Sequence, residues 1–162
     1  MSLRLCHLAC SLATVTMLST GKSSVAQTAT QIHFSDLAAT WTLVSIYRTS
    51  NVQGPSAAEA KRLLGTHIIY GAHRMKSCGA DVAINGVKEQ SFTEDNLLQD
   101  FRGRFSELGV REKTIVGITI EQRSSAACYG AFPLPGRVIF LKSRNALIVD
   151  FEGVFYRAVR LH

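Results

Sequence analysis

Hydrophobic and polar positions first fall into a regular two-residue alternation at "TWTLVSIYR", Thr40 to Arg48. Trp41, Leu43, Ser45 and Tyr47 share one face, and Thr42, Val44, Ile46 and Arg48 share the other. That period, carried by β-branched and aromatic residues, predicts a strand. The pattern changes at "GPSAAEAKRLLG", where Ser56 and Glu59 are spaced as a capping box. Ala57 to Leu64 are strong helix formers, and Gly65 is placed to stop the helix in a left-handed turn. "THIIYG", Thr66 to Gly71, returns to the strand pattern. Beyond it, a strand into Cys78, a turn at Gly79 and a short strand ending at Asn85-Gly86 are expected. Thr93 to Phe105 has acids in its first turn and Leu97, Leu98 and Phe101 at helical spacing, which predicts a short helix or helical loop.

The last third is strand after strand: Thr114 to Gln122, Gly136 to Ser143, Asn145 to Glu152, and Gly153 to Leu161. The final three follow one another too closely for a parallel return, which needs a crossover of a dozen residues or more, so they must form antiparallel hairpins. The expected fold is mainly β, a small antiparallel barrel of six to eight strands with one or two short helices. Closure disposes of sheet edges and would make the first and last strands neighbours. Residues lining an open interior would come from one face of each strand, such as Ile115, Ile148, Phe155 and Val159. A slip of one residue inverts that choice of face.

The N-terminus changes the picture of where this fold works. Arg4 gives a short positive start, Leu5 to Leu18 is uncharged and mostly apolar, and Ser24 and Ala26 stand at small-residue cleavage positions. Residues 1–26 are therefore expected to be a signal peptide, residues 27–36 a flexible lead-in, and residues 37–162 a single domain. The apolar run is shorter than the roughly 20 residues that span a membrane, so no transmembrane segment is expected in the mature chain. Cleavage removes two of the 18 basic residues, Arg4 and Lys22, and none of the 12 acidic ones, leaving a modest positive excess. The basic residues are dispersed, without interleaved aromatics, which argues against nucleic acid as a partner. Of the four cysteines, Cys78 and Cys128 remain after cleavage. In an oxidising compartment, periplasmic or secreted, such a pair is expected to form one disulfide, worth roughly 4 kcal/mol on the chain-entropy account. Two free buried thiols are the alternative.

Trp41 is the only tryptophan, stands at the start of the first strong strand, and is preceded by Ala39-Thr40, while Arg157 and Arg160 lie on the last strand. In these residues the chain resembles the lipocalin-like small barrels, where a Gly-x-Trp on the first strand is covered by an arginine from the last. Ala39 stands where that pattern has glycine. The resemblance implies that Arg157 or Arg160 packs on Trp41 to close the barrel. "LAATWTLVSI", "AAEAKRLLG" and "EGVFYRAVR" are also similar to uncharacterised exported bacterial proteins with such a fold.

Candidate chemistry is sparse. His33, His67, His73 and His162 lack metal-ligand spacing, so neither a metal nor a cofactor is expected. No Gly-x-Ser-x-Gly occurs, and Asp81, Glu89, Asp95 and Glu107 lie in polar surroundings without the burial that tunes a catalytic carboxyl. "YGAFPLPGR" is stiffened by two prolines, and Tyr129, Phe132 and Arg137 on it are candidate contacts for a partner. An ordinary connector with Phe132 turned into the core is the competing expectation. The functional expectation is an exported, non-enzymatic binding protein for a small apolar ligand or an envelope component. The alternative is a protein inhibitor or immunity-type partner of an envelope enzyme, acting through exposed loops. A hydrolase is the least favoured class.

Overall fold

The computed structural model describes residues 33–49, 54–128 and 132–162; the expected leader, 1–26, and Tyr129 lie outside them. The alternating segments become nine strands: β1 (Ala39–Thr49), β2 (His67–Tyr70), β3 (Arg74–Ser77), β4 (Ala80–Ala83), β5 (Gly86–Phe92), β6 (Ile115–Glu121), β7 (Val138–Ser143), β8 (Ala146–Phe151) and β9 (Val154–Arg160). All their pairings are antiparallel, in the order β4-β3-β2-β1-β9-β8-β7-β6-β5, and the sheet curls into a half-barrel. Three short helices accompany it: α1 (Ala57–Arg62), α2 (Glu94–Phe101) and α3 (Phe105–Leu108).

The first and last strands are neighbours, with Trp41 opposite Arg160 and Leu43 opposite Ala158. They meet in the middle of the sheet rather than sealing a cylinder. Among the described residues β4 and β5 form no ladder with each other. The chain steps between these two edges through Ile84, whose N–H bonds the His73 carbonyl, and Asn85, whose N–H bonds the Glu121 carbonyl, both at 2.9 Å. Asn85-Gly86 is therefore a corner and not a hairpin turn. The strand it opens, β5, was not visible as a strand in the sequence because its middle is polar and exposed.

Two apolar clusters sit on opposite faces. The inner one joins Trp41, Leu43, Ile68, Tyr70 and Met75 to Ile118, Ile139, Leu147, Val149 and Tyr156, strands far apart in sheet order that only curling brings together. Helix α1 closes one side, and the buried Tyr156 hydroxyl donates to the Ala60 carbonyl at 3.0 Å. Its capping box forms as expected: the Glu59 N–H donates to Ser56 Oγ at 3.3 Å, and the Ser56 N–H donates to Glu59 Oε2 at 2.8 Å. The last residues of the expected lead-in are folded too, because Phe34–Leu37 make a turn of 3₁₀ helix with Leu37 buried.

The outer cluster joins Leu97 of α2 and Phe105 and Leu108 of α3 to Phe92, Ile115, Phe140, Ile148 and Phe155 of the sheet. The Phe92, Phe101 and Phe140 rings pack edge to face at 5.2–5.6 Å between centroids, a favoured aromatic geometry. A Cβ on Gly117 would come 2.5 Å from the Phe92 ring, so only glycine lets that ring lie on β6. The break between α2 and α3 follows from the same packing: Arg102 takes a left-handed φ of 59°, and a Cβ on Gly103 would meet the Phe155 ring at 2.8 Å.

These clusters correct the expected lining. Ile115, Ile148 and Phe155 belong to the outer cluster, and Val159 shares their side of β9. The alternation of β1 also breaks: register shifts after Leu43 and Ile46 leave Ile46 against the inner cluster and turn Tyr47 to the outer one.

Cys78, in the turn between β3 and β4, is disulfide-bonded to Cys128 in the β6–β7 loop, with Cα atoms 5.4 Å apart. The same loop buries Leu134 in the inner cluster, and its Gly136 carbonyl accepts from the buried Tyr70 hydroxyl at 2.8 Å. Burial pushes the Tyr70 phenol far above its ordinary value, so it stays a donor. The loop thus crosses the inner face and fastens β2–β4 to the opposite half of the sheet.

Candidate functional site

The register of β1 with β9 decides which arginine meets the indole. Residues directly opposite on neighbouring strands share a face. Arg160 faces Trp41, whereas Arg157 faces Ile148 on the other side and is exposed. The Arg160 guanidinium carbon lies 5.4 Å from the Trp41 ring centroid, within the range of a cation–π contact. The indole is buried, and its Nε1–H donates to the Leu37 carbonyl at 3.0 Å. Arg160 Nη2 donates to the Asp36 carbonyl at 2.7 Å. The 3₁₀ turn, β1 and the last strand are therefore locked together around one ring.

Beside that lock is an open groove of about 360 Å³, bordered by Ser35, Asp36, Trp41, Ser143, Arg144 and Arg160. The β7–β8 turn reaches it because the Arg160 N–H bonds the Asn145 carbonyl at 3.2 Å, which sets Ser143 and Arg144 next to the β9 end. Asp36 also borders the groove, with Oδ2 accepting the His33 N–H at 3.0 Å, so two guanidinium groups stand there against one carboxylate. Two guanidinium groups and two hydroxyls border one concavity, beside the buried indole. That donor set suits an anion: a guanidinium holds carboxylate or phosphate oxygens through paired N–H groups.

The other nominated residues fall elsewhere. Phe132 is half-buried against the inner cluster, edge-on to Phe151 at 6.2 Å, so it is a packing residue and not an exposed contact. Arg137 is half-buried in the loop immediately before β7. Asp81 lies on β4, where Arg74 at 2.7 Å and Lys76 at 3.4 Å flank it; the Arg74 hydrogen bond holds its carboxyl below the usual range. Glu89 sits 3.5 Å from His33, and its Oε1 accepts the Phe34 N–H at 2.9 Å. Among the described residues no three metal-ligating side chains cluster, and no helix is long and apolar enough to cross a membrane.

Ser35, Asp36, Ser143 and Arg144 were not singled out by the sequence. They converge only through the β1–β9 register, and no local motif marks them. No known protein family, curated protein or solved structure matches the chain.

Proposed function

We propose that the chain is an exported, non-enzymatic binding protein that takes an anionic group of a cell-envelope component in the groove between Arg144 and Arg160. The observation that carries this reading is the preset geometry of Arg160, held by the Trp41 ring and the Asp36 carbonyl before any ligand arrives. A preorganised guanidinium loses little freedom on binding. The inner face is occupied by the protein's own side chains, with Trp41, Leu43, Ile68, Met75, Leu147 and Tyr156 all fully buried, which favours a ligand held at the rim over an apolar molecule held inside. Export to the periplasm or beyond is supported by the leader pattern of residues 1–26 and by the Cys78–Cys128 disulfide, which fits an oxidising compartment. The lipocalin-like resemblance is supported by the stacked Trp41 and Arg160 on the paired terminal strands.

The single tryptophan lies at the groove and reports directly on it. Titration with glycerol phosphate should change Trp41 emission saturably, and Arg144→Ala should weaken binding about tenfold, the size expected for losing a charge-assisted contact. A flat titration, or one indifferent to Arg144→Ala, refutes the groove as an anion site. Affinity capture from an envelope extract tests the wider reading. A tightly retained enzyme would shift the case to the inhibitor or immunity-type alternative.

A further inference from the structure

Of the four large apolar side chains that are exposed among the described residues, three share the uncovered outer face of the sheet around β1. The registers place them there. Ile69 lies opposite Thr40, and Leu161, whose N–H bonds the Thr40 carbonyl at 2.9 Å, flanks Thr40 from the β9 side. That row continues through Lys76 on β3 to Asp81 on β4. Val44 and Ser45 stand in the bulge between Leu43 and Ile46, both of the inner cluster, and so point outward. Val44, Ile69 and Leu161 are 40, 39 and 47% exposed, which leaves each of them free to meet a partner.

The charge on the same face is predominantly positive. Arg74 and Lys76 project outward from β3, where burial alternates. Arg157 projects outward from β9, with Ser45 on one side and Ile148 on the other, so neither ladder sets an acid opposite it. The outward positions of these strands carry one acid, Asp81, which Arg74 and Lys76 already hold at 2.7 and 3.4 Å. An open hollow of about 320 Å³ lies over β2–β4, bordered by His67, Ile69, Lys76 and Gly79. An apolar side chain and a cation are therefore reached from one space.

We infer that this face docks on an anionic lipid surface, lying on it without crossing it. Val44, Ile69 and Leu161 enter the headgroup layer, and Arg74, Lys76 and Arg157 take lipid phosphates. Charge selects this occupant. A second copy related by a two-fold would set three cations and one acid against the same set, a net repulsion. A neutral bilayer meets only a small apolar area, whereas shallow apolar insertion and basic charge together give peripheral binding. The surface is separate from the groove at Arg144 and Arg160, because Arg160 points to the inner face and Arg157 to the outer. It stands whether or not the groove holds an anion.

The test is co-sedimentation of the disulfide-bonded protein with vesicles of mixed phosphatidylglycerol and phosphatidylcholine, against vesicles of phosphatidylcholine alone. The anionic vesicles should bind about tenfold tighter or more, and roughly 0.5 M salt should remove the difference. Arg157→Gln should weaken binding about fivefold, the share of one basic residue near such a surface, and Lys76→Gln should do the same from the other side of the face. Ile69→Ser should weaken it about threefold without changing the salt dependence. Arg144→Ala separates this face from the groove and should leave vesicle binding as in the parent. Equal binding to both vesicle types, indifference to Arg157→Gln and Lys76→Gln, or loss of binding with Arg144→Ala would overturn the inference. A dimer in vesicle-free solution that Ile69→Ser dissociates would overturn it too, and give the face to a second copy.

Discussion

The outer face of β1–β4 and the outer face of β6–β9 belong to one sheet and have opposite fates. On β2 and β3 burial alternates strictly, with Ile68, Tyr70, Met75 and Ser77 inside and His67, Ile69, Arg74 and Lys76 outside. On β7–β9 it does not, and neighbours such as Phe155 and Tyr156 or Ile148 and Val149 are all fully buried. The difference is helix cover: α2 and α3 bring their apolar sides to the outer face of the second region, and of the first region only Tyr47, toward the end of β1, packs against that outer cluster. A sheet buried on both sides is the thermodynamic centre of the molecule. A sheet buried on one side depends on what ties it down, here the Trp41–Arg160 lock and the disulfide.

The comparison predicts a graded set of losses. Phe155→Ala should be the most costly, about 3–5 kcal/mol by denaturant unfolding, because it empties the space where Gly103 and Phe140 pack. A value near 1 kcal/mol would mean the outer cluster is no core. Replacing Cys78 and Cys128 together by serine should cost roughly 2–4 kcal/mol, and the loss should be concentrated in β2–β4.

Asp150 gives a pH test from the double-sided region. Burial pushes its carboxyl up to about 7, the Gly153 N–H draws it back, and Glu152 adds to the rise. The folded state thus holds this proton more tightly than the unfolded chain does. The stabilisation is complete below the ordinary carboxylate value and is lost as pH rises to about 7. Asp150→Asn should flatten the fall in melting temperature across that window and leave the variant more stable than the parent above it. A parallel pair of curves would show that Asp150 titrates normally.

Arg160→Ala should redden Trp41 emission and cost about 1–2 kcal/mol, whereas Arg157→Ala, on the other face, should leave the emission unchanged. Smallest of all, Ile69→Ala on the bare face should change stability by less than about 0.5 kcal/mol, since that side chain is 39% exposed.

The same contrast explains what the sequence disclosed. Strand β1 and the capping box of α1 are local signals, and both were legible. The pairing of Cys78 with Cys128 was legible because two cysteines remained after an expected cleavage. The strands of "VIFL", "ALIV" and "VFY" were also legible, but their faces were not. A segment apolar on both sides carries no period, so Ile148 and Phe155 were assigned to the interior when they belong outside. Arg157 and Arg160 are an odd number of residues apart and must point to opposite faces, yet only the register with β1 says which one meets Trp41. Strand β5 was missed for the reverse reason: as a sheet edge it exposes Lys88, Glu89 and Gln90, the polar composition that keeps an edge from pairing with other chains. The groove was the least legible part, because Ser35 and Ser143 are brought together by tertiary structure alone.

Native-state hydrogen exchange before and after reduction of the disulfide tests most directly whether one half of the sheet is a self-sufficient core and the other a tethered flap. The amides of Met75 and Val82 should lose protection by a large factor on reduction, while those of Ile148 and Phe155 keep theirs. Equal loss in both places, or none in either, would contradict the division on which the account is built.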